Sequence, residues 1–305
     1  MRTMLALLIV IITCCSEPKE MNSQTEINSL SHFDFISSIN LPDHLDFCGE
    51  ELPLDIPEVK ERAEREFYLL LQQPGQIMLY LKRSGRLFPM YEKIIEEYEM
   101  PDDLKYLSVA ESALYMSRSA KGAVGLWQFI PSTAKIMGLT VNDYVDERRH
   151  PEKSTIAAMK YLKDGYAKHG SWILTAAGYN MGHTGVAQSL SYQNADDYFD
   201  LFLNEETSRF IFRIAIIKEL MKNHQKYGFS FDNEDWYKPY RTTTIIETKS
   251  ISDLHTWAVE NGTTYKWVKL LNPWILKRRL PSPPKGNTWE ILVPDRSDGL
   301  PDIWE

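Results

Sequence analysis

Residues 101–112 read PDDLKYLSVAES, and their spacing decides the fold. Wound as a helix, Leu104, Leu107, Ser108 and Glu111 fall at i, i+3, i+4 and i+7 and share one stripe. The stripe places a carboxylic acid where the pattern puts the interior. Glu111 also stands near the helix C-terminus, whose partial negative charge disfavours a carboxylate. Desolvation and the helix dipole both push its pKa up. A glutamic acid that keeps its proton near neutral pH can protonate a leaving oxygen, and sites of this type have raised such pKa values to about 6. The competing reading is a surface Glu that bends out to solvent at a helix end, and the stripe alone does not separate the two.

Downstream, residues 121–134 read KGAVGLWQFIPSTA and break the helical pattern. Two glycines, a tryptophan and a glutamine stand among apolar residues before a proline. Gly122 and Gly125 allow positive φ and a close backbone approach. Trp127 reads as core, and Gln128 offers an amide donor and acceptor. Upstream, Val59, Ala63, Phe67 and Leu70-Leu71 recur at helical spacing, and Met90-Tyr91-Ile94-Ile95 repeats the pattern. Helical spacing continues to about Tyr227 with hardly a strand signal. Pro101, Pro131 and Pro151 each precede a helical run, and Gly138 and Gly228 stand where helices end. The character changes near Trp236. Thr242–Glu247 is β-branched and predicts a strand, Ser252–Asn261 and Tyr265–Leu271 predict short helices, and Trp289–Val293 predicts a second strand. Together they predict a separate βααβ module.

The chain has 305 residues, a hydrophobic content of 43% and a formal net charge of −8. The hydrophobic content is enough for a sizeable core, and the acidic balance argues against a nucleic-acid partner. Arg2 followed by the apolar run Leu5–Ile12 is too short to span a bilayer and fits a secretory signal. The run ends in Thr13-Cys14-Cys15-Ser16 and resembles a bacterial lipoprotein signal, with Cys15 or Cys14 as the lipidated residue. An ordinary secretory signal is the alternative. Once a signal is removed, Cys48 is the only other cysteine, which excludes a structural disulfide and a thiolate metal cluster. Residues 16–40 are polar and predict a flexible tether. No His-Glu-x-x-His occurs, and His150, His169 and His183 read as too scattered for a metal. Gly182-His183-Thr184-Gly185 lacks a phosphate-binding pattern, so no cofactor is expected.

Ala110-Glu111-Ser112, Gly125-Leu126-Trp127-Gln128 and Gly178-Tyr179-Asn180 resemble the three ordered motifs of the lytic transglycosylases of glycoside hydrolase family 23. The likeness is greatest to their membrane-bound lytic murein transglycosylase D type and covers roughly Phe88 to Leu220. The resemblance implies a mainly α, goose-lysozyme-like catalytic domain. It implies that Glu111 acts as acid and then base, and that Ser112, Gln128, Tyr179 and Asn180 contact substrate. It further implies that Tyr179 reaches the catalytic carboxylate or the sugar, while Asn180 holds the loop. Two positions depart from the pattern: Gly178 stands where Ala is usual, and Phe210 where Tyr is usual. No second catalytic carboxylate is signalled, since Asp102, Asp103, Asp143, Asp146 and Glu147 read as solvent-facing residues or caps.

Residues 242–294 resemble a LysM domain through Asn272-Pro273 and Trp289–Pro294. Lys249–Ser252 replaces the usual Gly-Asp-Thr, and the loop from Trp274 to Gly286 is long, basic and proline-rich. The expected organisation is a signal at 1–15, a tether at 16–40, an N-terminal helical region at 41–95, a catalytic domain at 96–235, a LysM-like module at 240–295 and a tail at 296–305. The implied protein is a lipid-anchored enzyme on the periplasmic side of the envelope, at the outer membrane, acting on peptidoglycan glycan strands. Two alternatives stay open: a hydrolytic muramidase of the same fold, and a non-catalytic peptidoglycan-binding lipoprotein.

Overall fold

A computed structural model describes residues 38–232 and 234–295. Cys14 and Cys15 lie outside the described residues, as do the predicted signal and most of the tether. Residues 38–40 fall in a first unit, and everything from Leu41 onward forms a second. In that second unit β1 (Asp46–Phe47) and β2 (Glu50–Glu51) form a two-stranded antiparallel hairpin. The helices follow: α1 (Pro57–Leu71), α2 (Pro74–Glu97), α3 (Leu104–Ser112), α4 (Pro131–Ile136), α5 (Pro151–His169), α6 (Trp172–Met181), α7 (His183–Gln193) and α8 (Glu205–Lys222). The C-terminal module runs β3 (Thr242–Glu247), α9 (Leu254–Glu260), α10 (Tyr265–Leu271) and β4 (Trp289–Pro294). Among the described residues no helix is long and apolar enough to cross a membrane.

Proline opens four of these helices, at Pro57, Pro74, Pro131 and Pro151, where its missing N–H costs nothing. Pro89 differs, because it lies inside α2 and the helix continues past it. The centre of the helical domain is α8. It buries Phe210, Ile211, Phe212, Ile214, Ala215, Ile216 and Ile217, an apolar run wide enough to face helices on several sides. It packs against α1, α3 and α6. Phe210 is part of this core, so the ring that stands where a phenol is usual serves packing.

The sequence-predicted βααβ order holds. The strands pair antiparallel from Thr242 opposite Pro294 to Glu247 opposite Trp289. Asn272 is fully buried. Its side chain accepts from Leu292 N at 2.9 Å and donates to Leu292 O at 2.7 Å and Val268 O at 2.9 Å, closing α10 onto β4. The long loop after Trp274 has a structural task that its composition does not reveal. Ile275 bridges Val145, Leu276 N donates to Tyr144 O, and Trp274 stacks on His150. Val145 thereby enters the module's own core beside Trp257, Trp274 and Ile291.

Of the acidic residues read as solvent-facing or caps, Asp146 is a cap, accepting from Arg148 N at the start of a short 3-10 turn, but a buried one, while Glu147 and Asp103 are corrected. Asp146 and Glu147 are each only 5% exposed. Asp146 clamps Arg148 through two 2.8 Å bonds, and Glu147 accepts from Lys153 at 2.6 Å and Thr140 N at 2.7 Å. Asp103 receives Lys218 Nζ at 2.6 Å and Cys48 N at 2.8 Å, which ties the start of α3 to α8 and to the hairpin. Buried charge is tolerated because each carboxylate meets a cation or several N–H donors, partners that sequence spacing does not reveal.

Candidate active site

The expected stripe on α3 forms: Leu104, Leu107 and Ser108 are fully buried. The helix stops at Ala113, whose φ of 55° places it in the left-handed region. Glu111 is therefore held in the last turn. Its carboxyl is half-buried and separates two cavities, one of about 520 Å³ and one of about 400 Å³. Among the described residues no group bonds this carboxyl, and its pKa is pushed up to about 8. Burial is the main cause, the negative charge of Glu206 adds to it, and Arg213 opposes it.

A chain of hydrogen bonds fixes the Gly-Leu-Trp-Gln turn beside Glu111. Tyr91 OH bonds Ser108 Oγ at 3.0 Å, and Ser108 Oγ donates to Leu126 O at 3.0 Å. Trp127 is fully buried and donates Nε1–H to Thr155 Oγ1 at 2.9 Å, which agrees with its reading as core. From below, Arg148 donates to Gly122 O and Phe129 O, both at 3.0 Å. Gly125 has φ +91°, and a Cβ there would stand 2.0 Å from Arg148 O. Gln128 also takes positive φ, at 49°. Three helices and one buried arginine thus hold a turn that has no secondary structure of its own.

Two residues expected at the substrate are committed elsewhere. Ser112 Oγ donates to Ser108 O at 3.1 Å, and Ser112 lines the smaller cavity while the Trp-Gln turn lines the larger. A serine in the last helical turn satisfies its hydroxyl locally at little cost. Gln128 Nε2 donates to Gly125 O at 2.7 Å and Ser117 Oγ at 3.0 Å, so the amide nitrogen shapes the turn and only Oε1 is left for a ligand. Tyr179 OH donates to Trp127 O at 2.6 Å, joining the third motif to the second. Burial, and next the charge of Glu111, raise its pKa well above the phenol value, which places the ring beside the carboxyl. Asn180 Oδ1 accepts from Thr207 Oγ1 at 2.8 Å and anchors α6 to the start of α8. Glu50 supports this arrangement from the other end of α6, where it accepts from Ser171 Oγ at 2.6 Å and Ile173 N at 3.2 Å.

Glu206 is the residue that sequence reasoning missed. It lines the larger cavity opposite Glu111, accepts from Lys121 Nζ at 2.8 Å, and is held below the usual carboxylate range, chiefly by that bond. It lies 95 positions from Glu111 in the numbering, in the first turn of α8, where an acidic residue reads as dipole complement. Glu206→Gln removes a negative charge facing Glu111, so the pKa of Glu111 falls. The alkaline limb of kcat/KM is expected to move to lower pH in this variant, and an unmoved limb in a pH–rate profile would show that the two carboxyls are uncoupled.

Gly178 has a physical reason. The His183 ring sits where a Cβ would be, with Nδ1 2.2 Å from that point, and it presses on Gly165 in the same way with Cε1 at 2.3 Å. His183 also meets His169 at 3.3 Å, so two of the three histidines read as scattered are neighbours. Gly178→Ala is expected to cost about 1–3 kcal/mol by overpacking, and less than half of that in a His183→Ala background. Denaturant titration of the four proteins checks it, and equal costs in both backgrounds would refute the contact.

Comparisons with known proteins fit this geometry. Residues 91–202 match the family model for the transglycosylase SLT domain. Residues 243–297 match that for the soluble lytic transglycosylase C-terminal LysM-like domain. Two relatives named membrane-bound lytic murein transglycosylase D, from Escherichia coli strains K12 and O6:H1, are each 28% identical over 195 residues. That alignment covers 62% of this chain and 43% of each relative, so the chain spans less than half the length of the relatives it matches.

Proposed function

We propose that this chain, which carries a transglycosylase SLT domain followed by a LysM-like module, is a peptidoglycan lytic transglycosylase that uses Glu111 as its single acid and base. The observation that carries the reading is Glu111 itself: a carboxyl with no hydrogen-bond partner among the described residues, raised to about 8, lining two cavities and beside the Trp-Gln turn. Protonated at neutral pH, it donates its proton to the oxygen linking N-acetylmuramic acid to N-acetylglucosamine as the bond from that oxygen to the anomeric carbon breaks. The carboxylate then takes the proton of the muramoyl 6-hydroxyl, whose oxygen closes onto the anomeric carbon. The product is 1,6-anhydro-N-acetylmuramic acid, Glu111 regains its proton, and no water is consumed. The nucleophile is internal, so the protein supplies orientation. Gln128 Oε1 is the acceptor offered to a substrate N–H or hydroxyl.

A second reading rests on Glu206. A carboxylate in the same cavity can activate water, which makes the enzyme a muramidase. Its bond to Lys121 disfavours that role. Mass spectrometry of digested cell-wall sacculi distinguishes the two, since the anhydro product is lighter than the reducing sugar by one water. Only reducing ends would sink the transglycosylase reading, and no soluble product would leave the non-catalytic wall-binding alternative.

The LysM-like module is proposed to bind N-acetylglucosamine chains. The chain is proposed to sit on the periplasmic side of the envelope, lipid-anchored at Cys15 or Cys14 and held at the outer membrane. The apolar run and cysteine pair at the N-terminus support the anchor, and the name of the E. coli relatives is consistent with an envelope location.

A further inference from the structure

The smaller cavity is not explained by acid catalysis. It shares Glu111 with the larger cavity, is lined from α1, α2, α3 and α8, and has a volume of about 400 Å³. Glu66, Gln76, Arg209 and Arg213 line it. Glu66 is 2% exposed and is shared by three guanidinium groups: Arg209 at 2.5 Å, Arg65 at 2.9 Å and Arg213 at 3.7 Å. Glu205 is the other carboxylate of this cluster, 3.4 Å from Arg209 and 3.7 Å from Arg65. Three cations share these two anions, and Arg213 also acts at longer range on Glu111 and Glu206.

Arg213 is the least committed of the three guanidinium groups. Arg65 and Arg209 each donate to Glu66 within hydrogen-bond distance, whereas among the described residues Arg213 makes no hydrogen bond and meets Glu66 at 3.7 Å. A guanidinium carries five N–H donors in a planar fork, so Arg213 keeps donors for an acceptor that enters the cavity. A second observation points the same way. Gln76 Nε2 is buried and has no hydrogen-bond partner among the described residues, an expensive state unless a ligand supplies an acceptor.

We propose that this cavity recognises a carboxylate on the peptide branch of the substrate strand, with Arg213 as its charge partner and Gln76 Nε2 as a neutral donor. The proposal rests on the peptidoglycan reading above and deepens it. The physical basis is proximity: the cavity shares Glu111 with the larger groove, so a strand that places its glycosidic oxygen at Glu111 brings the muramoyl peptide to one side of it. A planar carboxylate matches the guanidinium fork, and a charge-assisted bond there is stronger than any contact with a neutral sugar hydroxyl.

The test compares purified glycan strands that carry peptides with strands stripped of peptides by an amidase, whose newly exposed lactyl carboxylates are converted to amides so that no carboxylate remains. Wild type is expected to favour the peptide-bearing strands in kcat/KM, and Arg213→Gln to reduce that preference by about tenfold. Gln76→Leu is expected to reduce it in the same direction, which covers the case in which Arg213→Gln fails to fold. Arg213→Lys keeps the charge and is expected to restore part of it. Converting the peptide carboxylates to amides is expected to abolish the preference of wild type. Identical preference in wild type and both loss-of-contact variants would overturn the carboxylate site, as would equal turnover of native and amidated strands. Failure of wild type to cut any strand would instead overturn the function on which the proposal rests.

Discussion

Glu111→Gln is expected to lower turnover of sacculi by about 10³-fold or more while retaining sacculus binding, because one side chain serves both proton transfers. Gln keeps the shape of Glu and cannot donate and then recover a proton. Residual activity near wild type would show that the acid lies elsewhere. The pH dependence follows from the same group. The proton donor must be protonated at the start of the reaction, and its pKa is about 8. The rate is therefore expected to hold up to about pH 8 and to fall above it. A limb near the ordinary value of 4.5 would contradict the buried position.

Stability carries a matching signature. Between pH 4.5 and about 8 the folded protein holds a proton at Glu111 that the unfolded chain has released. Stability at this site is complete below 4.5 and is lost progressively as the pH rises toward 8. Allowing for solvent at the cavity mouth, the loss at pH 7 is roughly 2 kcal/mol. Glu111→Gln removes the titration, so the variant is expected to melt higher than wild type at pH 8 and equally at pH 4. A site that stores instability at neutral pH and gains it back on neutralisation is consistent with a functional group rather than a structural one.

Gly125→Ala is the second large effect. The residue has φ +91°, and the new Cβ would stand 2.0 Å from the backbone oxygen of Arg148. That oxygen cannot rotate away, because its own residue is bonded through the side chain to Asp146, Gly122 and Phe129. Backbone strain and overpacking together are expected to cost about 3 kcal/mol or more. In a domain of this size the melting temperature drops by about 6–12 °C. Activity is expected to fall further than stability, since Trp127 and Gln128 move with the turn. Gly122→Ala supplies the control. Gly122 also has positive φ, at +82°, but nothing lies within 4 Å of its Cβ position, so only the backbone cost of about 1 kcal/mol remains. Equal melting temperatures for the two variants would show that the contact with Arg148 is soft.

Much of the site was legible in the chain itself. The stripe of Leu104, Leu107 and Ser108 placed Glu111, and the two glycines located the turn that lies beside it. The βααβ order of the C-terminal module followed from β-branched runs and helical spacing. Apart from the meeting of the three motifs, which the family resemblance implied, what escaped were relations between distant residues. Ser112 and Gln128 were expected at the substrate; Ser112 Oγ bonds back to its own helix, and Gln128 commits its amide nitrogen to the turn while still lining the larger cavity. Asp146 and Glu147 were read as solvent-facing residues or caps, and their burial escaped because the cations that cover them, Arg148 and Lys153, look like ordinary solvent-facing side chains in sequence. The loop from Trp274 was read by its composition, and its contact with Val145 depends on a residue 129 positions earlier.

Periodicity and chirality act over a few residues, so the sequence by itself determined that residues up to about Tyr227 are mainly helical, that runs start near Pro101, Pro131 and Pro151, and which face of α3 is buried. The environment of Glu111 was decided only by tertiary structure. The charge of Glu206, the opposing charge of Arg213 and the cavity on either side come from α8 packing against α3, and electrostatic energy depends on distance in space rather than along the chain.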